Sequence, residues 1–240
     1  MSRQVIPLSA SLTTSNQGMI ATGNHEHSDS LREAPPFTQG GQVIGITGGT
    51  GCGKTSLLKE IEKLGGLVLD CDVIYHELLQ TDSEMLAAID SRFPGTVEKG
   101  QLQRKKLGAI VFADENALLE LNRITHGAVK KEVLRRLERK PALAAIDAIG
   151  LFEGGLAELC QVTVAVTAPE EMRIRRLMER DGITEEYAKN RIRAQHSEGW
   201  FRERCDCVLE NNGTLMQFRE KCLAFLRRSG IIEETNWKNL

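Results

Sequence analysis

The chain has 240 residues, of which 41% are hydrophobic, so it can bury a sizeable core in one or at most two domains. Thirty-one basic and 33 acidic residues give a formal net charge of -2, which excludes a global field directed at nucleic acid or an anionic membrane. There is no apolar run of the ~18 residues that a spanning helix needs, and no secretory signal. We expect a soluble, cytoplasmic protein with reduced cysteines and with no membrane or nucleic-acid partner.

Residues 1–41 are rich in Ser, Thr, Asn, Gly and Pro and have no sustained helical or strand periodicity. Such a segment offers little apolar surface to offset its ordering entropy, so we expect a disordered N-terminal extension. An organelle transit peptide is one alternative, although Arg3 is the only basic residue before Arg32. A start assigned too far upstream of Met19 would also produce such a segment.

From residue 42 onward, the apolar pattern predicts strands that alternate with helices. Runs typical of buried strands occupy 43–46, 67–69, 143–147, 162–166 and 207–209, and helical spacing covers 56–64, about 74–92, about 104–139, about 170–200 and 214–228. This alternation favours a parallel sheet covered by helices on both faces, and therefore an α/β fold.

Residues 48–55 read GGTGCGKT and lie directly between the first predicted strand and the first predicted helix. The spacing fits GxxxxGK[ST], in which glycines let successive backbone N–H groups surround phosphate oxygens. Lys54 would reach the β- and γ-phosphates of ATP, and the hydroxyl of Thr55 would bind Mg²⁺. The expected nucleotide-binding residues are Gly49, Thr50, Gly51, Cys52, Gly53, Lys54, Thr55 and Ser56.

Three aspartates follow predicted strands, at the edge where open α/β sheets bind ligands. Asp70 and Asp72 are two residues apart, so both side chains are expected on one face. One of them would accept the proton of an attacking hydroxyl, which favours a kinase acting on an alcohol over an NTPase. Capping of the next helix is the alternative. Asp147 is either a ligand of the same Mg²⁺ or a plain strand-end aspartate.

Two further features of the sequence have more than one interpretation. Six arginines occur between 172 and 193, in two helical halves separated by 181–184. They predict a hinged lid over about 170–200 that clamps the transferred phosphoryl group, and solvated helix faces are the alternative for each arginine except Arg180.

Cys52, beside Lys54 and a helix N-terminus, is either a reactive thiolate that MgATP protects or an inert buried thiol.

Nearly all of 42–228 resembles the dephospho-CoA kinase family, because several motifs occur in the family's order. Besides the loop, these are VLDCDVI at 68–74, GQLQR at 100–104 with Leu107 and Phe112, LNRITH at 121–126, LFEGGL at 151–156, RDG at 180–182, RAQ at 193–195 and NNG at 211–213. Two departures concern the substrate side: Gly127 replaces the proline of the family's His-Pro, and DAIG at 147–150 lacks the proline and second leucine of D-x-P-L-L.

The resemblance implies a P-loop NTPase with a nucleoside-monophosphate-kinase-like, three-layer sandwich around a parallel sheet. The kinase domain would cover 42–230, with a helical substrate region at about 74–140 and the lid at about 170–200, before a C-terminal tail at 231–240. The implied reaction is phosphorylation of the ribose 3′-hydroxyl of dephospho-CoA by ATP. A nucleoside or nucleotide kinase on the same scaffold is the alternative, and the oligomeric state is not predicted.

By the same resemblance, Asp72 would be the general base, with Lys54 and Arg180 as further catalytic residues. The implied contacts to the substrate are made by Asp72, His126, Phe152 and Glu153, and the implied metal ligands are Thr55 and Asp147.

Overall fold

A computed structural model describes residues 41–231 of the chain. The predictions for 1–40 and for 232–240 lie outside the described residues. Ile231 belongs to the folded domain rather than to a tail, because its N–H donates to the carbonyl oxygen of Leu226 at 3.0 Å and its side chain packs against the core. In this part of the chain, no helix has both the length and the apolar composition that crossing a membrane requires.

The strands form one central sheet and one small hairpin. They are β1 (Gln42–Thr47), β2 (Leu67–Asp70), β3 (Val97–Glu98), β4 (Gln101–Leu102), β5 (Leu143–Asp147), β6 (Val162–Thr167) and β7 (Cys207–Glu210). The central sheet has the order β2-β5-β1-β6-β7 and every neighbouring pair is parallel, whereas β3 and β4 pair antiparallel. β5 and β6 are almost continuously buried, as strands covered on both faces must be.

Nine α-helices surround the sheet in the described residues. They are α1 (Lys54–Lys63), α2 (Cys71–Thr81), α3 (Ser83–Arg92), α4 (Arg104–Val111), α5 (Glu115–Leu137), α6 (Glu170–Asp181), α7 (Glu185–Arg193), α8 (Glu198–Arg204) and α9 (Leu215–Arg228). Leu57 of α1 and Phe218 of α9 pack with Ile44 in one core, while Ile74 of α2 and Val129 of α5 belong to a second core with Ile146. The result is the predicted three-layer α/β/α sandwich.

Short capping segments divide the predicted helical stretches into separate helices. The carboxylate of Asp82 accepts from the backbone N–H of Met85 at 2.9 Å, which begins α3 directly after α2. Asp114 caps α5 in the same way, with Asn116 N as donor at 2.8 Å. Gly182 ends α6 in the left-handed conformation, with φ 63°, so the chain turns where the sequence predicted a break.

Candidate active site

The glycine-rich loop leaves the carboxyl end of β1 and ends at the first turn of α1. Gly48 has a φ of 128°, and a Cβ there would lie 2.1 Å from the carbonyl oxygen of Val166, so only glycine fits. Gly53 has a φ of 95° and begins α1. Lys54 folds back over the loop, where its Nζ donates to the carbonyl oxygen of Gly48 at 2.9 Å. The loop is therefore curled as a phosphate cradle requires.

Two side chains after β6 hold the outer side of this loop at Thr50. The Nε of Arg173 donates to the carbonyl oxygen of Thr50 at 2.9 Å, and the Oε1 of Gln195 accepts from the Thr50 N–H at 2.8 Å. Arg173 Nη2 donates to the same Gln195 oxygen at 3.0 Å, which joins the two. The beginning of α6 and the segment after α7 are thus both fixed to the loop.

Arg176 and Asn211 bind the next part of the loop, at the backbone carbonyl groups of Gly51 and Cys52. Arg176 Nη1 donates to the carbonyl oxygen of Gly51 at 3.2 Å, and its Nη2 donates to Asn211 Oδ1 at 3.3 Å. Asn211, the residue after β7, is buried and donates from Nδ2 to the carbonyl oxygen of Cys52 at 2.8 Å. Sequence reasoning assigned Arg173 and Arg176 to the lid, but in the structure both guanidinium groups bind loop carbonyls. The NNG motif at 211–213 was the only sequence signal for this contact.

A cleft of about 1230 Å³ opens over the loop, and most of the predicted site residues line it. Its lining includes the loop from Gly49 to Thr55 except Cys52, the three aspartates at the sheet edge, one face of α4, and Arg180 and Arg191 of the lid helices. Asp181 holds both arginines, through bonds of 2.7 Å from Arg180 Nε and 2.6 Å from Arg191 Nη1. The side chain of Arg180 is 61% exposed at the mouth of the cleft.

Asp70 and Asp72 occupy different elements, which corrects the expectation that both end the strand on one face. Asp70 ends β2 and its Oδ1 accepts from the N–H groups of Asp72 and Val73 at 2.9 and 3.1 Å, so it caps α2. Asp72 lies in the first turn of α2 and also lines the cleft. Burial raises the pKa of the Asp72 carboxyl and the charge of Asp70 adds to this, while Lys54 acts in the opposite direction.

Asp147 ends β5 next to the cap of α2, since it is in register with Asp70. Its Oδ1 is buried and has no hydrogen-bond partner among the described residues. Burial raises the pKa of the Asp147 carboxyl to about 6, although the positive charge of Lys54 acts to lower it. No group of three or more His, Cys, Asp or Glu that could bind a metal occurs in 41–231. A carboxylate oxygen without a described partner, in the same cleft as Thr55, suits Mg²⁺, which uses one or two protein ligands together with phosphate and water.

Three predicted substrate residues lie away from the cleft. His126 and Glu153 line a separate cavity of about 500 Å³. Glu153 Oε1 contacts His196 Nε2 at 2.5 Å, and the ring of Phe152 packs edge-on against Trp200 with 5.6 Å between centroids. The structure therefore brings Asp72 to the glycine-rich loop but does not bring these three residues to it.

Cys52 belongs to the loop but points away from the cleft. Its side chain is 2% exposed, within the core that also contains Leu57 and Val166. Burial raises the pKa of the thiol even though Arg173 and Lys54 favour the thiolate. The hypothesis of a reactive thiolate is therefore wrong, and the alternative of an inert thiol agrees with the structure.

A parallel α/β/α sandwich with a phosphate loop, a buried carboxylate in the same cleft and arginines at its mouth defines a P-loop kinase. A sequence model of the family described as Dephospho-CoA kinase matches residues 42–217. The chain therefore belongs to the dephospho-CoA kinase family. The dephospho-CoA kinase of Syntrophotalea carbinolica is 36% identical over 192 residues, which cover 78% of this chain and 91% of that protein. For the enzyme of Geobacillus kaustophilus, the identity is 34%, with 80% and 98% covered.

Solved structures share this fold. A crystal structure of a Thermus thermophilus protein has a TM-score of 0.67 and 33% identity, and covers 79% of this chain and 98% of its own. The structure of dephospho-CoA kinase from Campylobacter jejuni has a TM-score of 0.55 and 25% identity, with 77% and 95% covered.

Proposed function

We propose that the protein transfers the γ-phosphoryl group of ATP to the ribose 3′-hydroxyl of dephospho-CoA, giving ADP and CoA. The observation that carries this proposal is the position of Asp72 in the first turn of α2, where its carboxylate, with a raised pKa, lines the same cleft as Lys54 and the phosphate loop. A hydrolytic NTPase has to position water, whereas this cleft combines a base with enough space for an organic acceptor.

In the proposed reaction, Asp72 accepts the proton of the ribose 3′-hydroxyl group while the oxygen of that hydroxyl group bonds to the γ-phosphorus of ATP. The bond from that phosphorus to the β-phosphate oxygen breaks, and ADP leaves. The loop N–H groups and Lys54 offset the charge of the transferred group. Thr55 and Asp147 would hold Mg²⁺, which when bound supplies further charge neutralisation.

We propose that the moving part of the lid is shorter than 170–200. Arg173 and Arg176 bind the loop on one side and Gln195 binds it on the other, so the segment between them is the part free to close. Gly182, in the left-handed conformation between α6 and α7, provides the turn of this segment. Arg180 would reach the phosphates after exchanging its bond to Asp181 for one to ATP.

Contacts of the substrate with His126, Phe152 and Glu153 stay a prediction. Gly150 lies close to the cavity that His126 and Glu153 line, since a Cβ there would be 3.7 Å from His126 Nε2, and its neighbour Ile149 lines the cleft. A cytoplasmic location stays a proposal as well.

A coupled assay of ADP release tests the function. With dephospho-CoA and MgATP, we expect turnover that adenosine, AMP and other nucleosides or nucleotides do not match. Lys54→Ala should abolish it and leave the circular dichroism spectrum unchanged, because Lys54 binds charge rather than packing a core. Preferred turnover of a nucleoside or nucleotide would replace the proposal with the alternative kinase, and normal turnover by Lys54→Ala would exclude the loop as the phosphate site.

A further inference from the structure

Two adjacent residues between α7 and α8 bind different parts of the domain. Ala194 is the C-cap of α7 and Ser197 is the N-cap of α8, so Gln195 and His196 alone lie between the two caps. Gln195 binds the phosphate loop and lines the cleft. His196 instead binds Glu153, on the loop that follows β5. The contact of His196 has no role in the reaction as described so far.

The phosphate loop packs tightly against the side chain of Gln195. A Cβ on Gly49 would lie 2.2 Å from Arg173 Nη2 and 3.1 Å from Gln195 Oε1, so even a methyl group does not fit there. The same Gln195 oxygen accepts from the Thr50 N–H at 2.8 Å and from Arg173 Nη2 at 3.0 Å. Because one oxygen serves two donors, a small displacement of Gln195 weakens both hydrogen bonds. The shape of the loop therefore depends on where Gln195 is held.

The ring of His196 is fixed by a stack and by a hydrogen bond. It stacks on Trp200 with 3.8 Å between centroids and 3° between the ring planes. Its Nε2 donates to Glu153 Oε1 at 2.5 Å, since a carboxylate can only accept. Fully exposed ion pairs contribute little, but these side chains are only 17% and 28% exposed, for His196 and Glu153 respectively. The residue next to Gln195 is thus held in one orientation.

Glu153 lies on a tight turn that is attached to the strand before the phosphate loop. Within the turn, the N–H of Gly154 donates to the carbonyl oxygen of Gly150 at 2.9 Å. Just before it, the carbonyl oxygen of Ile149 accepts from the Oγ1 of Thr47, the last residue of β1, at 3.2 Å. The turn therefore gives His196 a fixed support that is connected to the beginning of the loop.

We propose that His196 and Glu153 are positioning residues for the phosphate donor: the pair holds the connection between α7 and α8 so that Gln195 keeps the loop at Thr50 in the shape that binds ATP. The contacts form a closed ring, which leaves β1 at Thr47 and returns to the loop through Glu153, His196 and Gln195. This role of Glu153 differs from the acceptor contact that the resemblance implies. The proposal rests on the proposed function only in taking ATP as the donor.

Titration calorimetry with MgATP, in the absence of an acceptor, tests the pair. Gln195→Ala should raise the Kd for MgATP by about tenfold, because the Thr50 N–H loses its acceptor. His196→Phe keeps a ring to stack on Trp200 but has no donor for Glu153, and should raise the Kd by about threefold to tenfold. The KM for dephospho-CoA should be unchanged in both variants, because neither change acts on the acceptor.

A double variant separates a positioning role from a purely structural one. If His196 acts through Gln195, then His196→Phe should change the Kd for MgATP by less than about twofold once Gln195 is alanine. A structural loss would be independent of Gln195, so the two effects on the Kd would multiply.

Variants of Glu153 test the other partner against a matched control. Glu153→Ala should weaken MgATP binding as much as His196→Phe does, whereas Glu153→Gln keeps an oxygen that accepts from His196 and should stay within about twofold of the wild type. Glu198 is two residues from His196 but pairs with Arg202 on α8. Glu198→Ala removes the same kind of side chain without affecting the support of Gln195, so the Kd should stay at the wild-type value.

Three results would overturn the positioning role. These are a wild-type Kd for MgATP in both His196→Phe and Glu153→Ala, effects that multiply with Gln195→Ala, and a KM for dephospho-CoA that rises as much as the Kd. The last result would assign Glu153 to the acceptor.

Failure of the proposed function gives a different result. A wild-type protein that does not bind MgATP, or that prefers another acceptor, would overturn the proposed function, and in the second case the effects of the variants on MgATP binding would still support the positioning role. Thermal melting identifies a variant that fails to fold, and Glu153→Ala keeps the test valid if His196→Phe does so.

Discussion

Asp72 and Asp70 are two residues apart but differ in what surrounds their carboxylates. Asp72 lines the cleft with a raised pKa, whereas Asp70 accepts two N–H bonds at the beginning of α2. Asp72→Asn should lower kcat by roughly 10²-fold or more, because an amide cannot accept the proton of the acceptor hydroxyl. Asp70→Asn should keep kcat near the wild-type value, because asparagine caps a helix about as well as aspartate. The measurement is kcat for both variants at saturating substrates.

The pH profile provides an independent readout of the same residue. Protonated Asp72 cannot act as a base, and its raised pKa moves the loss of kcat/KM on acidification to a higher pH than an ordinary aspartate would give. Equal losses of kcat in the two asparagine variants would contradict a separate role for Asp72.

The position of these aspartates at the sheet edge could be predicted from the sequence. Which of them caps α2 and which lines the cleft as the general base could not. A buried run ending in Asp70-Cys71-Asp72 puts carboxylates at the ligand-binding edge of the sheet. Which of them turns back to cap the helix depends on where the strand stops, and a shift of one residue is not visible in the apolar pattern. The burial of Cys52 likewise depends on the direction of a single loop side chain.

At the level of elements, the phosphate loop depends on a residue that follows β7. Asn211→Ala removes the shorter of two hydrogen bonds to the carbonyl oxygen of Cys52, which then keeps only the 3.4 Å bond from Arg176 Nη1, and it removes the acceptor of Arg176 Nη2 at a buried position. We expect the KM for ATP to rise about tenfold with a smaller change in kcat, and the free energy of unfolding to fall by about 1–3 kcal/mol. ATP titrations and urea unfolding measure the two effects.

Asn212 provides the matched control, because it is exposed and its hydrogen bonds within 41–231 are made to Glu210 and Lys221, outside the loop. Asn212→Ala should leave the KM for ATP unchanged. An Asn211→Ala variant with a normal KM for ATP would show that the loop keeps its shape without this bond.

The sequence predicted the five long strands because each is a bounded apolar run, as in Val162–Thr167. The hairpin of β3 and β4 was missed, because strands of two residues have no measurable period. The bonds of Arg173 and Arg176 to the loop were missed for another reason. They join residues more than 120 positions apart, and arginines on a helix face look the same in sequence whether they bind solvent or backbone.

For the molecule as a whole, the buried thiols predict a loss of stability in alkali. Burial raises the pKa of Cys205 and of Cys222 to about 12 and raises that of Cys71 as well. In the unfolded chain, these thiols ionise near pH 9, so unfolding releases protons between about pH 9 and 12 and stability falls as pH rises through this range. Each thiol contributes up to about 1.4 kcal/mol per pH unit.

Urea unfolding under reducing conditions at pH 8 and pH 10.5 measures this dependence. The control is a variant with Cys71, Cys205 and Cys222 replaced by alanine, for which the fall in the free energy of unfolding should be clearly shallower. An equally steep fall in the variant would assign the alkaline loss to other groups.

The hydrogen bond from Asn211 to the carbonyl oxygen of Cys52 joins residues 159 positions apart. During synthesis, the ribosome therefore completes the phosphate loop long before it makes the asparagine that supports it. Arg176, which binds the preceding carbonyl, is also made more than 120 residues later. Because domains fold as their chain emerges, the nascent protein passes through a long period in which the loop exists without its support. We therefore expect full affinity for the nucleotide only late in biosynthesis, after β7 has joined the sheet.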